Sequence, residues 1–283
     1  MRLPKLAFPS GGAEATAICD PAPHRRRLPA VFIAAALAVA ALAGCSSPSP
    51  VNASPVNTLG ARILHLTIDS RFVHGAMPLT LVTPAGGGAH RPLLVFLHGL
   101  HSLGYDNNSQ LTDQMFAALH ALGPRAPDIA FPYGDDSYWA NSPGAAWSSY
   151  VLDEVIPTAL RVLNADPRRV AIGGISMGGY GAYEIARLDP GRFCAVGGHS
   201  AAIDPGFDVI AAATANPKLY GHAQLWLDIG AGDDPSFVGA DRQLASALHI
   251  PLHVWPGGHD FTYWNAHWSD YLGFYAHALA TCA

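Results

Sequence analysis

The sequence predicts an α/β domain built on one mostly parallel sheet, with helices on both faces and no large cap. Three observations point to it. Strand-like and helix-like segments alternate along the body of the chain. The run Leu93–Leu97 is apolar without a break. A Gly-x-Ser-x-Gly turn at Gly174 to Gly178 joins a short strand pattern directly to a helical one. Alternation implies parallel strands joined by helical crossovers, and an unbroken apolar run is the mark of a strand covered on both faces.

Taken in order, residues 62–69 and 78–82 read as two early strands separated by a turn near His74-Gly75. A Gly-rich loop, 84–88, leads into the strand Leu93–Leu97. Residues 110–122 carry Leu111, Met115, Leu119 and Leu122 at helical spacing. Residues 129–131 are a short strand. Residues 148–163 are helical, with apolar Val151, Val155, Leu160 and Leu163 and the acidic pair Asp153-Glu154 in the first half, where acids favour a helix. The pattern then repeats. Residues 170–172, 194–196, 224–229 and 253–255 read as strands, and Met177–Leu188, 237–248 and 263–279 as helices.

The first 60 residues are set apart. Arg25-Arg26-Arg27 precedes an uncharged run of Ala, Val, Leu and Ile that ends at Leu42-Ala43-Gly44-Cys45. A basic cluster before a short apolar stretch reads as a secretory signal, and the stretch falls short of the ~20 residues that span a bilayer comfortably. Its end is similar to the bacterial lipobox, which makes Cys45 the expected lipidation site and the membrane an expected partner. The expected organisation is a signal peptide at 1–44, a Ser/Pro-rich tether at 45–60 and a catalytic domain at 61–283. The location implied is the outer face of the cell membrane or the cell envelope, as a lipoprotein.

Charge narrows the function. The chain has 283 residues and a formal net charge of −5. Five basic and two acidic groups lie in 1–44, which leaves the body with 11 basic against 19 acidic residues, net −8. Such a body, with the single lysine Lys218, is a poor match to a phosphate backbone, so no nucleic-acid partner is expected. The histidines show no metal-ligand spacing, and neither metal nor cofactor is expected. Of four cysteines, Cys194 and Cys282 stay within the domain, as a disulfide or as two buried thiols.

The chemistry centres on Ser176. A turn from strand to helix within five residues forces the serine into an uncommon backbone conformation, and small residues two positions either side let the two elements approach. The hydroxyl then projects from the sheet edge. A serine needs a base, and the base needs an orienting carboxylate. In this arrangement the chain order is Ser, then acid, then His. Asp233, just past the strand at 224–229, is the first candidate for the acid, with Asp234 and Asp228 behind it. His259, in the loop Pro256-Gly257-Gly258-His259, is the candidate base. His253, His267 and His277 lie within predicted elements and read as packing or surface residues. Two backbone donors should meet the developing oxyanion: the N–H of Met177 and that of Leu100, in the His98-Gly99-Leu100 loop. His98 reads as a structural hydrogen-bonding residue. The aromatics Tyr138, Trp139 and Trp147 are candidates for lining an acyl or aryl pocket.

The stretch Asp166-Pro167-Arg168-Arg169-Val170, through Ser176-Met177-Gly178-Gly179-Tyr180-Gly181-Ala182 to Pro190-Gly191-Arg192-Phe193, resembles the putative-esterase family of α/β-hydrolases. That family includes esterase D-like enzymes, feruloyl esterases and mycolyltransferases. The resemblance implies an α/β-hydrolase fold and carboxylic-ester hydrolysis through an acyl-serine, with Ser176, Asp233 and His259 at the triad positions. The substrate expected is a small-molecule or lipid ester. The alternatives are an acyltransferase of the mycolyltransferase type acting on envelope glycolipids, whose acceptor residues find no match here, and a non-catalytic surface binding protein on a hydrolase scaffold.

Overall fold

A computed structural model describes residues 55–204 and 208–282. The expected signal peptide at 1–44, with Cys45 as the expected lipidation site, and most of the expected tether at 45–60 lie outside the described residues. The domain carries an eight-stranded sheet formed by β1 (Arg62–Ser70), β2 (Gly75–Thr83), β3 (Leu93–Leu97), β4 (Asp128–Pro132), β7 (Val170–Ile175), β8 (Ala195–His199), β9 (Gln224–Gly230) and β10 (Leu252–Trp255), in the order β1-β2-β4-β3-β7-β8-β9-β10. The first two strands run antiparallel to each other, and β2 is antiparallel to β4. From β4 through β10 all neighbours are parallel. This is the mostly parallel sheet of an α/β-hydrolase.

Strand periodicity sorts the core into two layers. Successive residues of a strand point to opposite faces. In β3, Leu93, Val95 and Leu97 join one cluster, while Leu94 and Phe96 join the other. The first cluster packs under α3 (Ile156–Leu163), α4 (Met177–Leu188), α5 (Asp208–Ala215) and α6 (Pro235–Leu248), contributing Ile156, Tyr183, Val209 and Leu244. The second packs under α1 (Asp113–Ala121) and α7 (Phe261–Thr281), through Met115, Phe116, Trp268, Tyr271 and Leu279. All five residues of β3 are buried, as its unbroken apolar run requires.

Three details differ from the sequence expectation. A small hairpin, β5 (Asn141–Ser142) and β6 (Ala145–Ala146), interrupts the long loop after β4. The helix expected at 148–163 is composite: α2 (Trp147–Tyr150), a π-helical stretch at Val151–Val155, then α3. The helix α5 was not expected. Its sequence, DVIAAATA, is helix-forming by composition but carries no contrast of polar and apolar positions for periodicity to detect.

Cys194 and Cys282 form a disulfide that ties the end of α7 to the residue before β8. Among the described residues, no helix is long and apolar enough to cross a membrane.

Candidate active site

The turn from β7 into α4 builds the nucleophile position. Ser176 has φ 54° and ψ −123°, a sparsely populated region for a side-chain-bearing residue. The two flanking glycines are sterically required. A Cβ at Gly174 would lie 2.6 Å from the carbonyl oxygens of Gly178 and Leu97, and one at Gly178 would collide with the Leu97 carbonyl. The Ser176 N–H donates to the His199 carbonyl of β8 (3.1 Å), and the Ser176 carbonyl accepts from Gly179, Tyr180 and Ala202.

Ser176, His259 and Asp233 meet at the carboxyl ends of the strands. His259 Nε2 lies 2.7 Å from Ser176 Oγ, and its Nδ1 lies 3.0 Å from each oxygen of Asp233. A carboxylate bonded to Nδ1 holds the proton on that nitrogen and leaves Nε2 free to accept from the serine. The Asp233 side chain is fully buried, whereas 23% of the His259 side chain is exposed. Asp233 Oδ1 also accepts the Asp234 N–H at 2.6 Å.

The two competing acids have other partners. Asp234 caps α6, accepting from the Ser236 N–H (2.8 Å) and hydroxyl (2.6 Å), and those bonds hold its carboxyl below the ordinary value. Asp228 is fully buried and bonded to His199 rather than His259. A third carboxyl, Asp241 of α6, is also fully buried; burial, with the nearby charges of Asp228 and Asp233, pushes its pKa well up.

The loop expected to supply an oxyanion donor lies against Ser176. A Cβ on Gly99 would sit 3.3 Å from both Ser176 Cβ and the Tyr105 ring. The next residue, Leu100, turns its carbonyl into a 3-10 turn, where it accepts from Leu103 (3.2 Å) and Tyr105 (3.3 Å). Met177 is the first residue of α4, where backbone N–H groups have no helical acceptor.

His98 secures this loop as a neutral, fully buried imidazole. Its Nδ1–H donates to the Gly99 carbonyl (2.5 Å), and its Nε2 accepts the Gly134 N–H (2.9 Å). Burial lowers its pKa to about 4. The loop from β4 is thereby stitched to the oxyanion loop.

The aromatics are distributed differently from the expectation. Trp139 does not line a pocket. It is fully buried, its ring packs against Gly134 and Gly181, and its Nε1–H donates to the His98 carbonyl at 3.3 Å. Size and an indole donor make it a strut beneath the loop. Trp147 is half-buried and packs edge-on against Tyr150, 5.9 Å away. Tyr138 is half-buried beside Tyr180 in the first turn of α4. Other rings flank the triad. Phe237 lies 5.3 Å from the His259 ring and Trp264 5.1 Å from it, while half-buried Phe261 and Tyr105 pair at 4.9 Å. They come from α6, α7 and the oxyanion loop, and only folding brings them together. No cluster of three metal-ligating side chains occurs among the described residues.

The model of the putative esterase family matches residues 73–275. The chain belongs to that family. The S-formylglutathione hydrolase of Rattus norvegicus is 30% identical over 142 residues, covering 43% of this chain and 50% of that enzyme. The chain thus spans about half the length of the curated relative it matches. Among solved structures, a ferulic acid esterase is similar with a TM-score of 0.65 at 20% identity, over 77% of this chain and 98% of that one. The S-formylglutathione hydrolase of Agrobacterium tumefaciens gives 0.63 at 17% identity, over 78% and 96%. At these identities the structural likeness establishes the fold, and the family match establishes membership of the esterases.

Proposed function

We propose that the protein is a serine carboxylic-ester hydrolase, exported and held at the membrane by a lipidated Cys45. The observation that carries the reaction is the continuous bonded chain from the Asp233 carboxylate through His259 to Ser176 Oγ. In the first half-reaction His259 takes the hydroxyl proton as Ser176 Oγ bonds to the ester carbonyl carbon. Asp233 stabilises the imidazolium that forms. The N–H groups of Leu100 and Met177 receive the developing oxyanion. Collapse expels the alcohol, which takes the proton from His259, and leaves an acyl-serine. Water then attacks with His259 as base, releasing the acid and restoring the hydroxyl.

The half-buried rings of Tyr105, Phe261 and Phe237 beside the triad favour an ester with an apolar or aromatic group. Export is supported by the Cys194–Cys282 disulfide, since such bonds persist in oxidising compartments.

A fluorophosphonate probe should label the folded wild-type protein at Ser176, and p-nitrophenyl esters graded by chain length should be cleaved. A folded sample that takes no label and cleaves no ester rejects the hydrolase reading. For the address, Cys45→Ala should move the protein from the membrane fraction to the soluble fraction. Unchanged partition rejects the lipid anchor.

A further inference from the structure

Behind the triad lies a hydrogen-bonded hub that the reaction described above does not use. Its centre is Asp228 in β9, fully buried. Four donors meet its carboxylate: His199 Nδ1 at 2.7 Å, Trp226 Nε1 at 2.7 Å, the Tyr263 hydroxyl at 2.8 Å and the Tyr271 hydroxyl at 3.1 Å. They match the carboxylate's full accepting capacity. The ring of His199 stacks between Phe96 (5.8 Å) and Tyr271 (3.7 Å), and its Nε2 meets the Tyr275 hydroxyl at 2.9 Å. A buried network whose members are all satisfied is rigid, because any shift leaves a polar group unpaired in a low-dielectric interior.

The hub reaches all three members of the triad. The His199 carbonyl accepts the N–H of Ser176 at 3.1 Å and the Trp264 indole N–H at 3.3 Å, and the Trp264 ring lies 5.1 Å from that of His259. Tyr263 lies four residues after His259. Its ring fills the hollow under Gly257, where a Cβ would come within 2.6 Å of it. The Gly257 carbonyl accepts the N–H of Gly232, the residue before Asp233, at 2.7 Å. The Tyr263 hydroxyl is therefore the link between the Asp228 carboxylate and the loop that carries the base.

We propose that Asp228 is a positioning residue for this site, acting through the Tyr263 hydroxyl to hold the His259 imidazole in line with Ser176. The proposal rests on the ester-hydrolase reading. It touches neither substrate nor reacting atoms. Its effect is on geometry, to which such reactions are steeply sensitive.

Tyr263→Phe is the decisive variant, because it keeps the ring under Gly257 and removes only the oxygen bonded to Asp228. Expected are a fall in kcat of about tenfold with KM within about twofold of wild type, and an equal fall in the fluorophosphonate labelling rate. A kcat and labelling rate within about twofold of wild type overturn the proposal. Asp228→Asn should lower kcat at least as far, and adding Tyr263→Phe to it should cost nothing more; additive losses would separate the two residues and overturn the proposal. Nitrogen-15 shifts of His259 read the same geometry without turnover. An Nε2 shift that moves in Tyr263→Phe, reporting a weakened bond to Ser176 Oγ, supports the proposal, and an Nε2 shift identical in both proteins rejects it. A wild-type protein that takes no label and cleaves no ester fails the hydrolase reading, and the nitrogen-15 comparison still decides the positioning role.

Discussion

The molecule holds two sets of carboxylate, imidazole and hydroxyl in the same bonded order. At the rim, Asp233, His259 and Ser176 are joined at 3.0 and 2.7 Å. In the core, Asp228, His199 and Tyr275 are joined at 2.7 and 2.9 Å. Distances do not tell them apart; surroundings do. The outer imidazole is partly exposed, while the inner pair is wholly enclosed. Tyr275 is shut against the sheet, since a Cβ on Gly173 or Gly197 would collide with its hydroxyl, and burial raises its pKa well above the ordinary phenol value. The inner carboxylate also serves two other phenols and an indole. Ser176, by contrast, sits on the turn from β7 into α4 at the rim of the sheet, bonded to an imidazole that is partly exposed. Reactivity in such a trio needs access, and the inner trio is wholly enclosed.

Removing one oxygen from each set is the direct way to break the comparison. Ser176→Ala should lower kcat by about 10⁴-fold or more, read by ester hydrolysis. Asp233→Asn should keep the fold and cost about 10⁴-fold in kcat by releasing the wrong imidazole tautomer; a loss below about tenfold would mean that Asp233 does not orient His259. Away from the rim the effects should turn into stability. Cys194→Ser opens a bridge between residues 88 apart, and chemical denaturation should show a loss of about 2–5 kcal/mol. His98 gives a pH signature. Its folded pKa is about 4 against 6.5 for the free side chain, so between those values the unfolded chain binds a proton that the folded one refuses. Stability should be full above pH 6.5 and fall as pH drops toward 4, by on the order of 3 kcal/mol from this group. Denaturation midpoints of His98→Asn across that range should lack this component. Tyr275→Phe, which leaves the buried Nε2 of His199 unpaired, should lose about 1–3 kcal/mol of stability and leave kcat within about twofold.

Legibility followed the range of the interactions. The Gly-x-Ser-x-Gly turn and the strand and helix beside it are local, so Ser176 could be read from neighbours. Chain order then brought Asp233 and His259 forward, although only coordinates separate Asp233 from Asp234, since both follow the same strand and one of them caps α6. The hub was not legible. Its members run from Trp226 and His199 to Tyr275, with no shared spacing, and in the sequence Asp228 reads only as another candidate for the triad acid. The aromatic assignments show the same limit. Trp139 and Phe237 differ in burial for reasons of tertiary packing, which a count of rings near a sheet edge does not contain. The disulfide likewise needed the end of α7 to be placed beside β8.

The backbone at position 176 sets a tension between chemistry and persistence. An L side chain occupies that region at a cost of about 1–3 kcal/mol, whereas glycine enters it freely. Ser176→Gly would relieve that backbone and in the same step remove the hydroxyl bonded to His259, so stability and the bonded trio cannot both be maximal at this position.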